Sequence, residues 1–371
     1  MKMKAFQEHP RVVRKQAPGR AVPFDAAAIR KILVVKPSAL GDVIHSLPFL
    51  KAMHGRFPQA QIHWVIARGL HTLLEKHSMI HRLWIMDKDA WKKPKNLGRT
   101  LTTLRELFKA LRSERFDLVV DLQGLLRSGI ISLAAGCPVR VGFQEGREGS
   151  HLFYTHRVRG FADSSDIHAV DRYLKVARFL GCDPEPEVEF PLPPFMLPAE
   201  KKEELQLPQK YIVIAPAAGG GAKKWPPQRF GQLAARLPCP SVVVAGPSDE
   251  HIGREVAACS QGSAMSIAGK TNLLELAAVI QGAEFMICND TGPMHLAAAM
   301  KVPVFALFGP TNPLRTGPYG SGHTVIRKDV SCSPCYRRSA CSTLECMENL
   351  TADEVYGIIT EKSDPLGIQS L

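Results

Sequence analysis

The sequence predicts an α/β protein of two doubly wound domains, each a parallel sheet with helices on both faces, facing each other across a ligand cleft. Three observations carry this. β-rich apolar runs alternate with helix-period segments through most of the chain. The alternation stops at one proline-dense stretch and then restarts. The 371 residues are the length of two ordinary domains.

Residues 1–29 are basic and contain proline but no apolar core of signal-peptide type, which reads as a flexible extension of a cytoplasmic protein. Residues 30–182 are the first domain. "KILVVK" (31–36) is a strand, and the loop "PSALGD" leads into a helix from about Val43 to Gly55, with Val43, Leu47, Leu50 and Met53 at helical spacing. "QIHWVI" (61–66) is the next strand, followed by a basic helix at about 98–113. "FDLVVDLQG" (116–124) and "PVRVGF" (138–143) are further strands around a helix from about Leu125. "AVDRYLKVARFLG" (169–181) closes the domain as a helix.

Residues 183–205 hold Pro184, Pro186, Pro191, Pro193, Pro194 and Pro198. So many prolines exclude a helix interior or a central strand, so this is a stiff linker. Residues 206–350 are the second domain, with strands "YIVIAP" (211–216), "SVVVAG" (241–246), "FMIC" (285–288) and "VPVFALF" (302–308). Helices fall at about 227–237, 249–259 and 272–281. Residues 351–371 are a closing helix and tail, opened by Thr351 with Glu354 three residues later, a capping box.

The formal charge is +12, which points to a polyanionic partner. Aromatic residues are sparse in the basic stretches and no nucleic-acid motif accompanies them, so nucleic acid is not the expected partner. No apolar run is long enough to span a bilayer. Of the nine cysteines, Cys332, Cys335, Cys341 and Cys346 cluster as C-x2-C-x5-C-x4-C. The second pair is not a C-x2-C knuckle and no histidine fills a ligand slot, so the readings are a structural metal or a reduced or partly disulfide-linked loop. No catalytic metal is expected.

Ligands of doubly wound sheets bind beyond the carboxyl ends of the strands, and four chemically loaded stretches fall there. In "KPSALGDVIHSLP" no Walker lysine and no G-x-G-x-x-G pattern is present. Asp42 remains, either a helix-start acid favoured by the dipole or a general base. In "APAAGGGAKKWPPQRF" three glycines can wrap an anion and Lys223 can meet a diphosphate; the alternative is a solvated loop. In "VVVAGPSDEH", Glu250 can accept from ribose hydroxyls or simply start a helix. In "CNDTGPMHLAAAM", Asp290, Thr291 or Gly292 caps a helix whose first position suits Pro293, which makes an anion site that His295 can reach.

"KILVVKPSALGDVIHSLP", "DLVVDLQGLLRSG", "KKWPPQRF", "CNDTGPMHLAAAMKVPVFALFGPTNP" and "CSPCYRRSACSTLECM" together resemble glycosyltransferase family 9, the ADP-heptose:lipopolysaccharide heptosyltransferases, in chain order over roughly residues 30–360. The resemblance implies a GT-B fold of two Rossmann-like domains. It also implies inverting, metal-independent and cofactor-free transfer of heptose from ADP-L-glycero-D-manno-heptose to the inner core, onto Kdo or the first heptose. It makes Asp42 the catalytic base, and Lys223, Glu250, Asp290, Thr291, Gly292 and His295 the donor site. Arg127 falls on the acceptor side. It implies a Kdo-bearing lipid A or inner-core acceptor and a peripheral place on the anionic cytoplasmic face of the inner membrane. The alternative is a glycosyltransferase or epimerase of the same fold using another nucleotide sugar. "AAGGGA" departs from the hydroxyl residues that family members often carry there.

Overall fold

A computed structural model describes residues 25, 27–87, 97–160, 166–336 and 341–363. Most of the expected N-terminal extension and the tail beyond the last helix lie outside the described residues. The chain divides into two compact units on either side of the Pro193–Pro194 bond.

The first unit contains β1 (Lys31–Val35), α1 (Leu40–His45), α2 (Leu47–Arg56), β2 (Gln61–Ala67), β3 (Arg82–Met86), α3 (Leu97–Ser113), β4 (Leu118–Asp121), α4 (Leu126–Ala134), β5 (Arg140–Phe143), β6 (His156–Val158) and α5 (Ala169–Phe179). Its sheet is parallel in the order β3-β2-β1-β4-β5-β6. β1 and β4 lie at the centre and are buried almost throughout, as expected of strands covered on both faces. The helix expected over 43–55 is two helices, broken at Ser46. Pro48 cannot donate to the carbonyl of Ile44 and its ring would clash there. Ser46 instead takes the carbonyl of Val43 with its amide at 3.1 Å and its hydroxyl at 2.6 Å.

The second unit contains α6 (Ala199–Glu204), β7 (Ile212–Ala215), α7 (Pro227–Ala234), β8 (Ser241–Val243), α8 (Glu250–Ala258), β9 (Ala264–Ser266), α9 (Leu273–Gln281), β10 (Met286–Asn289), α10 (Gly292–Ala299), β11 (Val304–Phe308), α11 (Pro313–Thr316), β12 (His323–Arg327), α12 (Glu345–Glu348) and α13 (Ala352–Ser363). Its parallel sheet runs β12-β11-β10-β7-β8-β9. The core holds Trp225, Phe230, Phe285, Phe305 and Ile359. α13 starts on the expected capping box. The amide of Thr351 donates to Glu354 at 3.0 Å, and the amide of Glu354 donates to the Thr351 hydroxyl at 3.2 Å.

The stretch expected to be a pure linker contains one short helix, α6. Four strands are absent from the expectations: β3, β6, β9 and β12. All four are sheet edges. They are only partly buried, so they lack the continuous apolar run that marks an inner strand.

In each sheet the strand order reverses once, between β1 and β4 and between β10 and β7. Loops diverge at such a switch point and leave a crevice where ligands bind.

Candidate active site

The first switch point joins the loop after β1 to the loop after β4. Lys36, the residue after β1, is buried; its ammonium donates to the carbonyl of Leu122 at 3.4 Å and lies 5.1 Å from the centre of the Tyr173 ring. The amide of Ser38 donates to the Gln123 side chain at 3.3 Å. Asp42 sits in the first turn of α1, where its Oδ2 accepts from the amide of Ala39 at 3.2 Å. The helix-start reading is therefore realised. The same carboxylate faces Lys36 at 3.7 Å, and the Lys36 side chain is 2% exposed against 41% for Asp42. The Tyr173 hydroxyl donates to Asp42 Oδ1 at 3.5 Å, and burial pushes that phenol up, so it stays a donor. Asp42 is thus a half-exposed carboxylate on buried supports.

Asp121 ends β4 fully buried. It accepts from Tyr154 at 2.7 Å and from the amides of Gln123 at 2.8 Å and Gly124 at 3.1 Å. Burial raises its pKa against the pull of these bonds. It fixes the turn that opens α4, where Arg127 is exposed.

The second switch point joins the glycine loop after β7 to the turn after β10. Gly220 has φ +119°, a conformation glycine alone adopts readily. The Lys223 ammonium is paired directly with Asp290, both side chains being nearly buried at 11% and 7% exposure. Asp290 also accepts from the Thr311 hydroxyl at 2.7 Å. Asn289 ties the two loops together: it accepts the amide of Trp225 at 3.1 Å and donates to the carbonyl of Pro216 at 2.6 Å. Trp225 is buried, with its ring N–H on the carbonyl of Leu350 at 2.8 Å.

Thr291 is the N-cap of α10, Gly292 its first residue and Pro293 its second, one place beyond the expected first position. The Thr291 side chain makes no capping bond, so backbone N–H groups of the first turn are open to an anion. His295 is buried on that turn. Glu250 is the first residue of α8. It lies against Gly269, where a Cβ would come 2.4 Å from the Glu250 carboxylate.

Lys223, Asp290, Thr291 and Gly292 are therefore brought together at one switch point, and Glu250 lies beyond the neighbouring strand, β8. Asp42 and Arg127 belong to the other unit. Sequence reasoning missed Lys36, Tyr173, Asn289 and Thr311. Lys36 and Asn289 had a signal, a polar residue at the very end of an apolar strand; Tyr173 and Thr311 had none. Among the described residues no group of three or more His, Cys, Asp and Glu side chains is placed to hold a metal ion. Cys346 is buried and its thiol is pushed up to about 11, by burial first and then by Cys332, Cys341 and Cys335.

Two parallel doubly wound sheets, each with one switch point, are the architecture of the GT-B fold, and known structures match it. Escherichia coli heptosyltransferase WaaC with ADP superposes with TM-score 0.72 at 25% identity, covering 90% of this chain and 99% of that one. E. coli ADP-heptose lps heptosyltransferase II gives 0.71 at 25%, covering 91% and 99%. The lipopolysaccharide core heptosyltransferase OpsX of Haemophilus influenzae is 26% identical over 69% of this chain and 72% of its own length. The profile of glycosyltransferase family 9 (heptosyltransferase) matches residues 104–345. The chain belongs to glycosyltransferase family 9.

Proposed function

We propose that the chain transfers heptose from ADP-L-glycero-D-manno-heptose to the inner core of lipopolysaccharide, onto Kdo or the first heptose. Transfer proceeds with inversion and without a divalent ion. The observation that carries this reading is the nearly buried Lys223–Asp290 pair beside the open N-terminus of α10. A lysine and a helix terminus supply the positive charge that a leaving diphosphate needs.

In the reaction the acceptor hydroxyl attacks the anomeric carbon while the bond to the ADP oxygen breaks. Asp42 takes the hydroxyl proton, held in orientation by Ala39, Tyr173 and Lys36. Negative charge grows on ADP, where Lys223 and the α10 amides receive it. Asp290 is itself an anion, so its part is to position Lys223 and not to touch phosphate. Glu250 accepts from the adenosine ribose, and His295 and Gly292 shape the diphosphate site. Arg127 serves the anionic acceptor. The enzyme acts on the cytoplasmic face of the inner membrane; no helix among the described residues is long and apolar enough to cross it.

The test is ADP release from ADP-heptose with a Kdo-bearing acceptor, with and without EDTA. Turnover unaffected by EDTA is expected. Loss restored by magnesium would refute the metal-free mechanism, and turnover only with another nucleotide sugar would refute the donor.

A further inference from the structure

α4 is built inside out. Its inward positions Ser128, Gly129 and Ser132 are buried along with Ile131. Both serines satisfy their hydroxyls on the helix's own backbone, Ser128 donating to Leu125 at 2.8 Å and Ser132 to Ser128 at 2.8 Å. The outward positions are apolar: Leu126 is 42% exposed, Ile130 39% and Leu133 48%. Their spacing of four and three residues puts them on one stripe. Leu152, 71% exposed, extends that stripe from the 3₁₀ turn Ser150–Phe153, whose Phe153 packs on Gly129. An ordinary surface helix has the opposite pattern.

The stripe is bordered by positive charge. α3 packs on α4, and the stem of Arg112 covers Gly136 just past the α4 C-terminus. Arg105, Lys109 and Arg112 are exposed on α3, and Arg127 is exposed on α4 itself. Glu106 on α3 and Glu148, which accepts from the amide of Leu126 at 3.2 Å, are the acids nearby. Exposed apolar side chains with Arg and Lys exposed on the same helix and on the one packed against it match the chemistry of an anionic bilayer surface, with an acyl layer beneath acidic headgroups.

We propose that this α3–α4 face, with Leu152, is the surface by which the enzyme docks on an anionic membrane. The proposal rests on the reading of a lipid-linked acceptor. It places Arg127 and the first switch point, at the start of α4, beside the headgroup layer where the sugar acceptor stands.

The probe is flotation of the full chain with phosphatidylcholine vesicles, with and without phosphatidylglycerol. The wild type is expected to float with phosphatidylglycerol vesicles and to be released by salt. Ile130→Glu/Leu133→Glu should lower vesicle affinity by at least about ten-fold, the scale of losing one buried aliphatic side chain. Leu152→Ser should lower it on a separate element, and Arg105→Glu/Lys109→Glu by about five-fold per charge removed. Turnover on a delipidated acceptor should be unchanged in all of these variants, which also checks that they fold. The proposal is overturned if the wild type ignores anionic vesicles or if the variants bind them as wild type does. It is also overturned if Ile130→Glu/Leu133→Glu instead converts a dimer to a monomer in light scattering, since a second copy would then cover the face. If vesicle binding follows the stripe while no heptosyl transfer is found on any acceptor, the docking surface stands and the proposed function fails.

Discussion

Asp42→Asn separates the helix-start role this carboxylate has in the structure from the proton-accepting role proposed for it. The amide keeps an oxygen for Ala39 or Tyr173 but loses the charge that faces Lys36. Lys36 is then left with the Leu122 carbonyl and the Tyr173 ring. Removing one partner of a fully buried pair costs about 3–5 kcal/mol. Here Asp42 is 41% exposed and the separation is 3.7 Å, which brings the cost to about 1–2 kcal/mol. For a unit of this size that lowers the melting temperature by about 2–8 °C. The melting temperature therefore falls in either role and decides nothing. Turnover decides. An amide cannot accept the proton, so kcat should drop about 10²–10⁴-fold, or about 2.7–5.5 kcal/mol in barrier. ADP affinity should stay near wild type, because the proposed donor residues belong to the other sheet. The assay measures kcat, donor KM and melting temperature on one preparation. A kcat within about three-fold of wild type, with only the melting temperature lowered, would show that Asp42 merely starts a helix and refute the reasoning.

Lys223→Ala should weaken ADP binding by about 1.5–3 kcal/mol, the worth of a charge-assisted contact. It should also lower the melting temperature, because Asp290 is left nearly buried with Thr311. Adding Asp290→Asn should recover stability but not ADP affinity; titration calorimetry and melting curves separate the two, and unchanged affinity in Lys223→Ala removes it from the site. Gly269→Ala places a methyl on the Glu250 carboxylate at a residue with φ +74°, so ADP should bind more weakly, whereas pyrophosphate, which has no ribose, should bind as before. His63 is held neutral, its pKa lowered to about 4 chiefly by burial, with Nδ1 accepting from Trp84 at 3.1 Å. The unfolded chain takes up this proton near pH 6.5 and the folded one only near 4, so stability is complete above about 6.5 and falls as pH drops through that window. His63→Gln should flatten the acid limb of a melting-temperature profile; an unchanged slope would assign it to other groups.

The amino-acid sequence determined the two-sheet architecture and the eight inner strands, because a strand buried on both faces must be apolar throughout. It marked the loops proposed to carry the chemistry as well, since glycine, proline, acid and lysine at a strand end break that pattern visibly. It also determined the capping box of α13, a local device complete within four residues. The edge strands β3, β6, β9 and β12 were decided only by the tertiary structure. Each pairs on one side and faces solvent in part, so its composition resembles a loop. The break at Ser46 was readable in Pro48, but helical spacing on both sides masked it. Pairing across the chain was beyond the sequence altogether. Lys36 with Asp42 is six residues apart and could have been guessed, but Tyr173 at Asp42, Thr311 at Asp290 and Trp225 at Asn289 depend on which strands become neighbours. The stripe on α4 is the same lesson in reverse. Leu126, Ile130 and Leu133 have the periodicity of a core face, and only the packed sheet shows that the serines point inward and the leucines out.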